Sequence, residues 1–283
     1  MSVIIGEISY TNILPFFYYL DRDKLNKLNC SFVPQVPAQL NQAMATGKID
    51  IGGISSFAYA KNADHFTLLP NLSVTSYGPV GSIFLFSKKP LQQLGGAKIA
   101  LTSSSATSVH LLKVILEHFY SLEVSYRTMK PDFGAMLVEH DACLLIGDDA
   151  ILAKREVGNL FHCYDLGGLW YKHTGLPMTF AVFAVRNETL NEHPSLLGSV
   201  YRSFLDSKRM SESNQYQLMI NDIIKTHGGE RKFWDMYFLN LCNDFGKEEQ
   251  KGLEYFFDLL FQMGYLSRQV KTLNIWDVAR IVK

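Results

Sequence analysis

The stretch Ile49-Asp50-Ile51-Gly52-Gly53-Ile54-Ser55-Ser56 begins as an apolar strand and continues into a helix. An apolar strand whose last residues are small and polar, and then open a helix, is typical of open α/β sheets. This pattern recurs along the first 200 residues. It predicts strands at 3–8, 28–34, 49–53, 67–76, 82–87, 98–102, 142–147 and 178–186, and helices at 14–21, 37–46, 56–62, 107–120, 133–140 and 148–155. Because several strands are wholly apolar, we expect an α/β fold with parallel sheets covered on both faces.

Two long apolar strands, at 82–87 and 178–186, divide the chain. They are either neighbours in one large sheet or the places where the chain leaves and re-enters a first lobe. On the second interpretation, residues 1–87 and 184–283 form the first lobe, and residues 88–183 form an inserted second lobe. The end of the first lobe is then a helical C-terminal extension. Clefts between lobes are common places for small-molecule sites, so we expect the ligand there.

The composition is that of a globular protein without a charge surplus. Lys plus Arg and Asp plus Glu both number 27, which gives a formal net charge of 0, and 47% of the residues are hydrophobic. Without basic excess, we expect neither a nucleic-acid nor a membrane partner. No apolar run is long enough to span a bilayer, and the sequence does not open with a secretory signal. Four scattered cysteines favour a cytoplasmic protein with reduced thiols and no metal site. Monomer and homodimer both remain open.

Small polar residues follow four of the predicted strands, at the edge where α/β sheets bind ligands. The candidates for this edge are Ser9, Tyr10 and Asn12 after the first strand, Ser55 and Ser56, Thr107 and Ser108, and Asp148. Helix N-terminal N–H groups and hydroxyls without nearby Lys or Arg suit a carboxylate held by neutral donors. The alternative is that each residue caps its own helix, which contributes about 1 kcal/mol and needs no ligand. Asp148 is the weakest anion candidate and suits a cap or a hydroxyl acceptor.

Well-known catalytic motifs are missing from the sequence. It contains no G-x-S-x-G, no G-x-x-x-x-G-K-[ST], no G-x-G-x-x-G and no H-E-x-x-H. The residues by themselves therefore indicate a cleft protein that binds a small anionic ligand, without specifying a reaction.

Longer strings resemble a known family. The segment from Leu40 to Ala58 resembles a signature of type 2 periplasmic-binding-protein folds, and an ordered set of strings resembles the chorismate dehydratases of menaquinone biosynthesis by the futalosine route. The set consists of Ser9-Tyr10-Thr11-Asn12-Ile13-Leu14-Pro15, Gly78-Pro79-Val80-Gly81-Ser82, Ser105-Ala106-Thr107-Ser108, Leu145-Ile146-Gly147-Asp148 and Asp165-Leu166-Gly167-x2-Trp170-x3-Thr174-Gly175-Leu176-Pro177. The resemblance covers about residues 1–200.

The resemblance implies a two-lobed periplasmic-binding-protein type 2-like fold and a dehydration that needs no cofactor. Chorismate would lose water to give 3-[(1-carboxyvinyl)oxy]benzoate. The substrate's own enolpyruvyl carboxylate would remove the ring proton, while the protein orients the substrate and stabilises developing charge.

The resemblance also assigns residues. It makes Asn12 the critical side chain, matches Ser82 to a serine of the site, and gives carboxylate binding to Ser55, Ser56, Thr107 and Ser108. Thr174 and Gly175 would line the wall of the inserted lobe. Thr11 and Gly81 stand where larger apolar residues are expected, so the shape of the pocket can differ there.

Two other functions fit the same fold. One is a non-catalytic solute-binding protein for a small carboxylate, although such proteins are normally exported. The other is the related enzyme that acts on cyclic dehypoxanthine futalosine, which typically has a Cys-Pro-Asn-Asp type string in the first turn. Tyr10-Thr11-Asn12 stands there instead, which favours the dehydratase.

Overall fold

The computed structural model describes residues 2–278, and its strands form two sheets. The strands are β1 Val3–Ile8, β2 Cys30–Gln35, β3 Ile51–Ser55, β4 Phe66–Ser76, β5 Ile83–Ser87, β6 Lys98–Thr102, β7 Ser125–Met129, β8 Ala142–Ile146, β9 His162–Asp165, β10 Met178–Arg186 and β11 Leu241–Cys242. One sheet has six strands in the order β11-β4-β10-β3-β1-β2, and the other has five in the order β7-β6-β8-β5-β9. We call the parts of the molecule built on them the first and second lobes.

Helices cover the sheets and make up most of the C-terminal region. They are α1 Leu14–Phe17, α2 Arg22–Lys27, α3 Pro37–Ala45, α4 Ser56–Lys61, α5 Thr107–Lys113, α6 Phe133–Val138, α7 Gly147–Val157, α8 Leu166–Thr174, α9 Asn187–Glu192, α10 Pro194–Ser213, α11 Gln217–His227, α12 Arg231–Asn240 and α13 Lys247–Gln262. Helix α5 continues as a π-helical segment, Val114–Phe119, and short 3-10 turns include Thr11–Ile13. In the described part of the chain, no helix is long and apolar enough to cross a membrane.

Both sheets are mixed, so the prediction of parallel sheets is wrong for part of each. Strands β1, β2 and β3 are parallel, as are β6, β7 and β8. Strand β10 is antiparallel to both β3 and β4, and β5 is antiparallel to β8 and β9. The antiparallel strands are those next to the chain crossings between the lobes. An apolar run of residues predicts that a strand is buried on both faces. It does not predict whether the strand pairs with its neighbours in parallel or antiparallel.

The outgoing crossing lies earlier than the sequence suggests. Residues 82–87 were expected to close the first lobe, but strand β5 lies inside the five-stranded sheet, between β8 and β9. The chain leaves the first lobe after Ser76, at the end of β4, and returns before Met178, at the start of β10. With the sheets as a guide, we propose that the second lobe spans about 77–177 rather than 88–183.

Two strands of the second lobe have no counterpart among the predicted strands. Strands β7 and β9 flank the five-stranded sheet and contain polar or partly exposed residues, such as Arg127 and His162. Edge strands need no continuous apolar run, because one side of each remains unpaired. The prediction of helices only after residue 193 also misses β11, two residues that pair with Thr75 and Ser76 of β4.

Helix α13 anchors the C-terminal region to the returning crossing. Its side chains Leu253, Phe256, Phe257 and Leu260 are buried, as the helical spacing predicts, whereas Phe261 is 39% exposed. Gly252 lies against the backbone carbonyl of Pro177, where a Cβ would come within 2.2 Å of the oxygen. Only glycine permits this close approach, since the neighbouring atom is backbone and cannot rotate away.

We expect Gly252→Ala to lower the free energy of unfolding by about 3 kcal/mol, because the added methyl forces α13 away from the crossing. Gly95→Ala is the matched control, since a Cβ there would meet nothing within 4 Å. Urea denaturation of both variants measures the difference. Equal stabilities for the two variants would contradict the packing described here.

Candidate functional site

A cavity lies between the two lobes, with about 470 Å³ of empty space including the part that opens to solvent. The first lobe contributes Ile8, Tyr10, Asn12, Pro37, Ser55, Phe180 and Ala181, and the second contributes Ile83, Ser105, Ser108, Ile146 and Gly147. The structure thus brings together the carboxyl ends of β1, β3 and β8 and the segment that follows β6.

Three serine hydroxyls supply hydrogen-bond donors to the cavity. Ser55 caps α4, and its Oγ accepts from the Ala58 N–H at 3.2 Å and from Asn41 Nδ2 at 3.1 Å. With its oxygen used as an acceptor, the Ser55 hydroxyl hydrogen remains available to a ligand. Ser105 Oγ accepts from the Ser108 N–H at 3.1 Å, which places Ser105 and Ser108 side by side at the start of α5.

Asn12 lines the cavity and carries an unpaired acceptor. Its Oδ1 is buried and has no hydrogen-bond partner within the protein. A buried polar atom without a partner costs free energy, and native structures keep few of them. A ligand group that donates a hydrogen bond would satisfy it.

The rest of the cavity wall is apolar apart from Tyr10. The Tyr10 ring lies over Gly147, whose φ is +58° and where a Cβ would lie 3.1 Å from the ring. Burial raises the pKa of Tyr10 to about 12, so the phenol is neutral at ordinary pH. Its hydroxyl donates to Asp149 Oδ2 at 3.3 Å. Among the described residues that line the cavity, Tyr10 is the only one with a titratable side chain.

Contacts across the cleft hold the two lobes closed. The Phe57 N–H of α4 donates to Thr107 Oγ1 of α5 at 3.0 Å, so the first turns of the two helices meet. The Phe57 ring stacks on His110 with 3.6 Å between ring centroids. Next to the cavity, the Thr11 hydroxyl donates to Asp148 Oδ1 at 2.6 Å. The two lobes are therefore closed on each other around the cavity.

Three of the predicted polar residues bind other parts of the protein. The fully buried Ser56 donates to the Thr179 carbonyl at 2.7 Å, and Thr107 accepts the Phe57 N–H. Asp148 accepts from both the N–H and the hydroxyl of Thr11. Burial raises the pKa of Asp148, although the hydrogen bonds from Thr11 oppose this. These groups contribute to packing and closure, and none of them lines the cavity.

Ser82 and Gly81 lie behind the cavity, against α12. The Tyr237 hydroxyl donates to Ser82 Oγ at 3.0 Å, and the Ser82 carbonyl accepts the N–H of Gly147 at 2.7 Å. The Gly81 N–H donates to Asp165 Oδ2 at 2.7 Å. Gly81 has a φ of +76° and would place a Cβ 3.2 Å from the Tyr237 ring, which explains why a larger residue does not fit there.

The remaining candidates lie away from the cavity. Ser9 is exposed. Thr174 and Gly175 end helix α8: Thr174 Oγ1 donates to the Trp170 carbonyl at 2.9 Å, and Gly175 adopts the left-handed conformation, with φ 67°. Trp170 is fully buried in the core.

Other residues line the cavity although the sequence did not single them out. Ser105 belongs to the serine-rich run after β6, so its position at the end of a strand could have predicted it as a cavity residue. The apolar walls formed by Ile83, Ile146 and Phe180 could not be distinguished from ordinary core residues. Within residues 2–278, no group of three or more His, Cys, Asp or Glu side chains is arranged to hold a metal ion.

Solved structures define the class of protein to which this fold belongs. A protein of Archaeoglobus fulgidus superposes with a TM-score of 0.77 at 19% identity, covering 94% of this chain and 98% of that one. The periplasmic aliphatic sulphonate binding protein SsuA from Escherichia coli superposes with a TM-score of 0.67 at 16% identity, covering 95% and 94%. The chain has a periplasmic-binding-protein-like fold with its cavity between the lobes.

The chain belongs to the menaquinone biosynthesis family, whose model matches residues 3–262. It is 35% identical to a chorismate dehydratase of Thermus thermophilus over 214 residues, which is 70% of this chain and 74% of that protein. It is 28% identical to a 1,4-dihydroxy-6-naphtoate synthase of the same organism over 149 residues, 53% of each chain. The fold and the family both agree with the resemblance drawn from the sequence strings.

The stack between Phe57 and His110 predicts a pH dependence of stability. Burial lowers the pKa of His110 from 6.5 to about 4, so the native protein holds it neutral while the unfolded chain takes up a proton below pH 6.5. Stability therefore falls as pH drops from about 6.5 to about 4, by up to about 3 kcal/mol from this group. We expect His110→Phe, which keeps a stacked ring, to remove this part of the loss. Urea denaturation at several pH values measures it, and parallel curves for both proteins would refute it.

Proposed function

We propose that this protein is a chorismate dehydratase, a hydro-lyase of menaquinone biosynthesis. The reaction removes a proton from the ring carbon that carries the enolpyruvyl ether and a hydroxide from the neighbouring carbon. The electrons of the broken C–H bond form the double bond that completes the aromatic ring. The products are 3-[(1-carboxyvinyl)oxy]benzoate and water. The family and the chorismate dehydratase relative support this proposal.

The observation that carries the proposal is a cavity without a base of its own. Of the described side chains that line it, Tyr10 alone titrates, and its raised pKa keeps it protonated. Its neighbour Asp149 is occupied by the Tyr10 hydroxyl. A substrate that carries its own base suits such a site. The enolpyruvyl carboxylate of chorismate lies within the same molecule as the proton to be removed, and a well-oriented intramolecular group reacts at high effective concentration.

The donors of the cavity fit a substrate with two carboxylates. Ser55 stands at the start of α4, and Ser105 and Ser108 stand at the start of α5, where helix dipoles favour negative charge. We infer that these hydroxyls hold the ring carboxylate and orient the enolpyruvyl group. In the described structure, neither Lys nor Arg lines the cavity. A lysine or arginine there would pair with the enolpyruvyl carboxylate and reduce its basicity.

We infer that Asn12 orients the substrate through the hydroxyl that departs. Its buried Oδ1 has no partner in the protein and can accept a hydrogen bond from the hydroxyl of the bound substrate. We infer that this bond fixes the carbon–oxygen bond in the geometry that elimination requires. Ser82 acts indirectly, because its carbonyl holds the Gly147 N–H and so shapes the wall under Tyr10.

The proposal includes the setting of the reaction. We infer a cytoplasmic enzyme whose partner is the small metabolite itself, with no cofactor, no nucleic acid and no membrane partner, acting as a monomer or homodimer. The cysteines in the described residues are all free thiols, which suits a reducing compartment.

The test is to mix the purified protein with chorismate and follow the products by liquid chromatography and mass spectrometry. We expect a new species one water lighter than chorismate. Asn12→Ala should reduce its formation at least about 100-fold, since a group that contacts the reacting atoms is lost. Asn26→Ala, at an exposed asparagine of α2, is the matched control and should retain activity.

Other results would lead elsewhere. Binding of chorismate without turnover would assign the protein to the solute-binding class. Wild-type-like turnover in Asn12→Ala would remove Asn12 from the mechanism. If the protein neither binds chorismate nor turns it over, the proposed substrate is contradicted.

A further inference from the structure

The turn that carries Asn12 has few backbone hydrogen bonds of its own, one of them from the Leu14 N–H to the Thr11 carbonyl. Asn12 is the middle residue of the 3-10 turn Thr11–Ile13, and the hydrogen bond from the Ile13 N–H to the Tyr10 carbonyl is long, at 3.4 Å. Short 3-10 turns have weak hydrogen-bond geometry. The Asn12 Oδ1 also has no protein partner that would orient it. Contacts from outside the turn therefore contribute to the position of the Asn12 amide.

Asp148 holds this turn from the opposite lobe. The Thr11 hydroxyl donates to Asp148 Oδ1 at 2.6 Å, and the Thr11 N–H donates to Asp148 Oδ2 at 3.3 Å. Both carboxylate oxygens thus bind the residue next to Asn12, and Thr11 is only 2% exposed. Hydrogen bonds to a carboxylate are stronger than those between neutral groups.

A third element approaches the carboxylate. His227, the last residue of α11, places its Nε2 3.7 Å from Asp148 Oδ2. The His227 carbonyl accepts from Arg155 of α7 at 2.9 Å, which ties the C-terminal helices to the same helix that carries Asp148. Asp148 is thus hydrogen-bonded to Thr11 of the first lobe and lies beside the end of α11.

We propose that Asp148 is a positioning residue that acts through Thr11 and places the Asn12 amide only when the lobes close. The inference rests on the proposed function and adds a residue to it. Asp148 does not line the cavity, so it serves the reaction by holding Thr11 rather than by binding substrate. The substrate must enter before the lobes close, and closure then forms the Thr11–Asp148 contact. Assembly of the site by closure is a known source of specificity in enzymes.

Steady-state kinetics with chorismate test the proposal in four variants and the wild type. Thr11→Val keeps the shape but removes the hydroxyl, whereas Thr11→Ser keeps both hydrogen bonds. Asp148→Asn removes the charge of the group that accepts the hydrogen bonds from Thr11. The double variant Thr11→Val/Asp148→Asn completes a double-mutant cycle. We expect Thr11→Val and Asp148→Asn each to lower kcat about tenfold or more, with KM changed less than about twofold, because a misplaced group reduces the rate more than binding. Thr11→Ser should match the wild type.

The double variant separates positioning from a general loss of structure. If Asp148 acts through Thr11, the double variant loses no more kcat than the worse single variant. Independent, multiplicative losses would overturn the proposal, as would an unchanged kcat in Thr11→Val. A rise in KM at constant kcat in Asp148→Asn would also overturn it, since it would assign Asp148 to substrate binding. If the wild type itself does not turn over chorismate, the proposed function fails first and the positioning role with it.

Discussion

The hydrogen bond from the Phe57 N–H to Thr107 Oγ1 joins the first turns of two helices that belong to different sheets. The arrangement of the hydrogen-bond donors in the cavity depends on this contact between α4 and α5. It brings Ser55 opposite Ser105 and Ser108, and it is covered by the stack of Phe57 on His110. Closure joins two half-sites, each a strand end followed by a helix, into one cavity with converging donors.

A site of this kind provides position and hydrogen bonds more than acids and bases. Its walls are formed by Ile83, Ile146 and Phe180, and its polar groups are neutral hydroxyls and the Asn12 amide. Such a cavity suits a reaction whose driving force and base come from the substrate, as in an elimination that ends in an aromatic ring. It also explains how a fold shared with binding proteins can support catalysis: the lobes need only hold the ligand in a reactive geometry.

The sequence predicts the local units well and the contacts between them poorly. Residues 49–62 predict the strand, the capping Ser55 and the helix, because all three are determined within a few residues. Ser56 and Thr107 look like equally good ligand donors, yet their partners are Thr179 and Phe57, which lie 123 and 50 residues away. Strand direction and the crossing after Ser76 also depend on distant pairing. Asn12 was assigned through the resemblance, and its buried, unpaired oxygen is visible only in the folded chain.

The most direct test of this account is a crystal structure of the Asn12→Ala variant with chorismate bound. The account predicts closed lobes, with the ring of the ligand between Ile83 and Phe180 and one carboxylate within hydrogen-bond distance of the Ser55 and Ser108 hydroxyls. Chorismate in the groove beside Gly81 and Tyr237, or a cleft from which the carboxylates point to solvent, would contradict it.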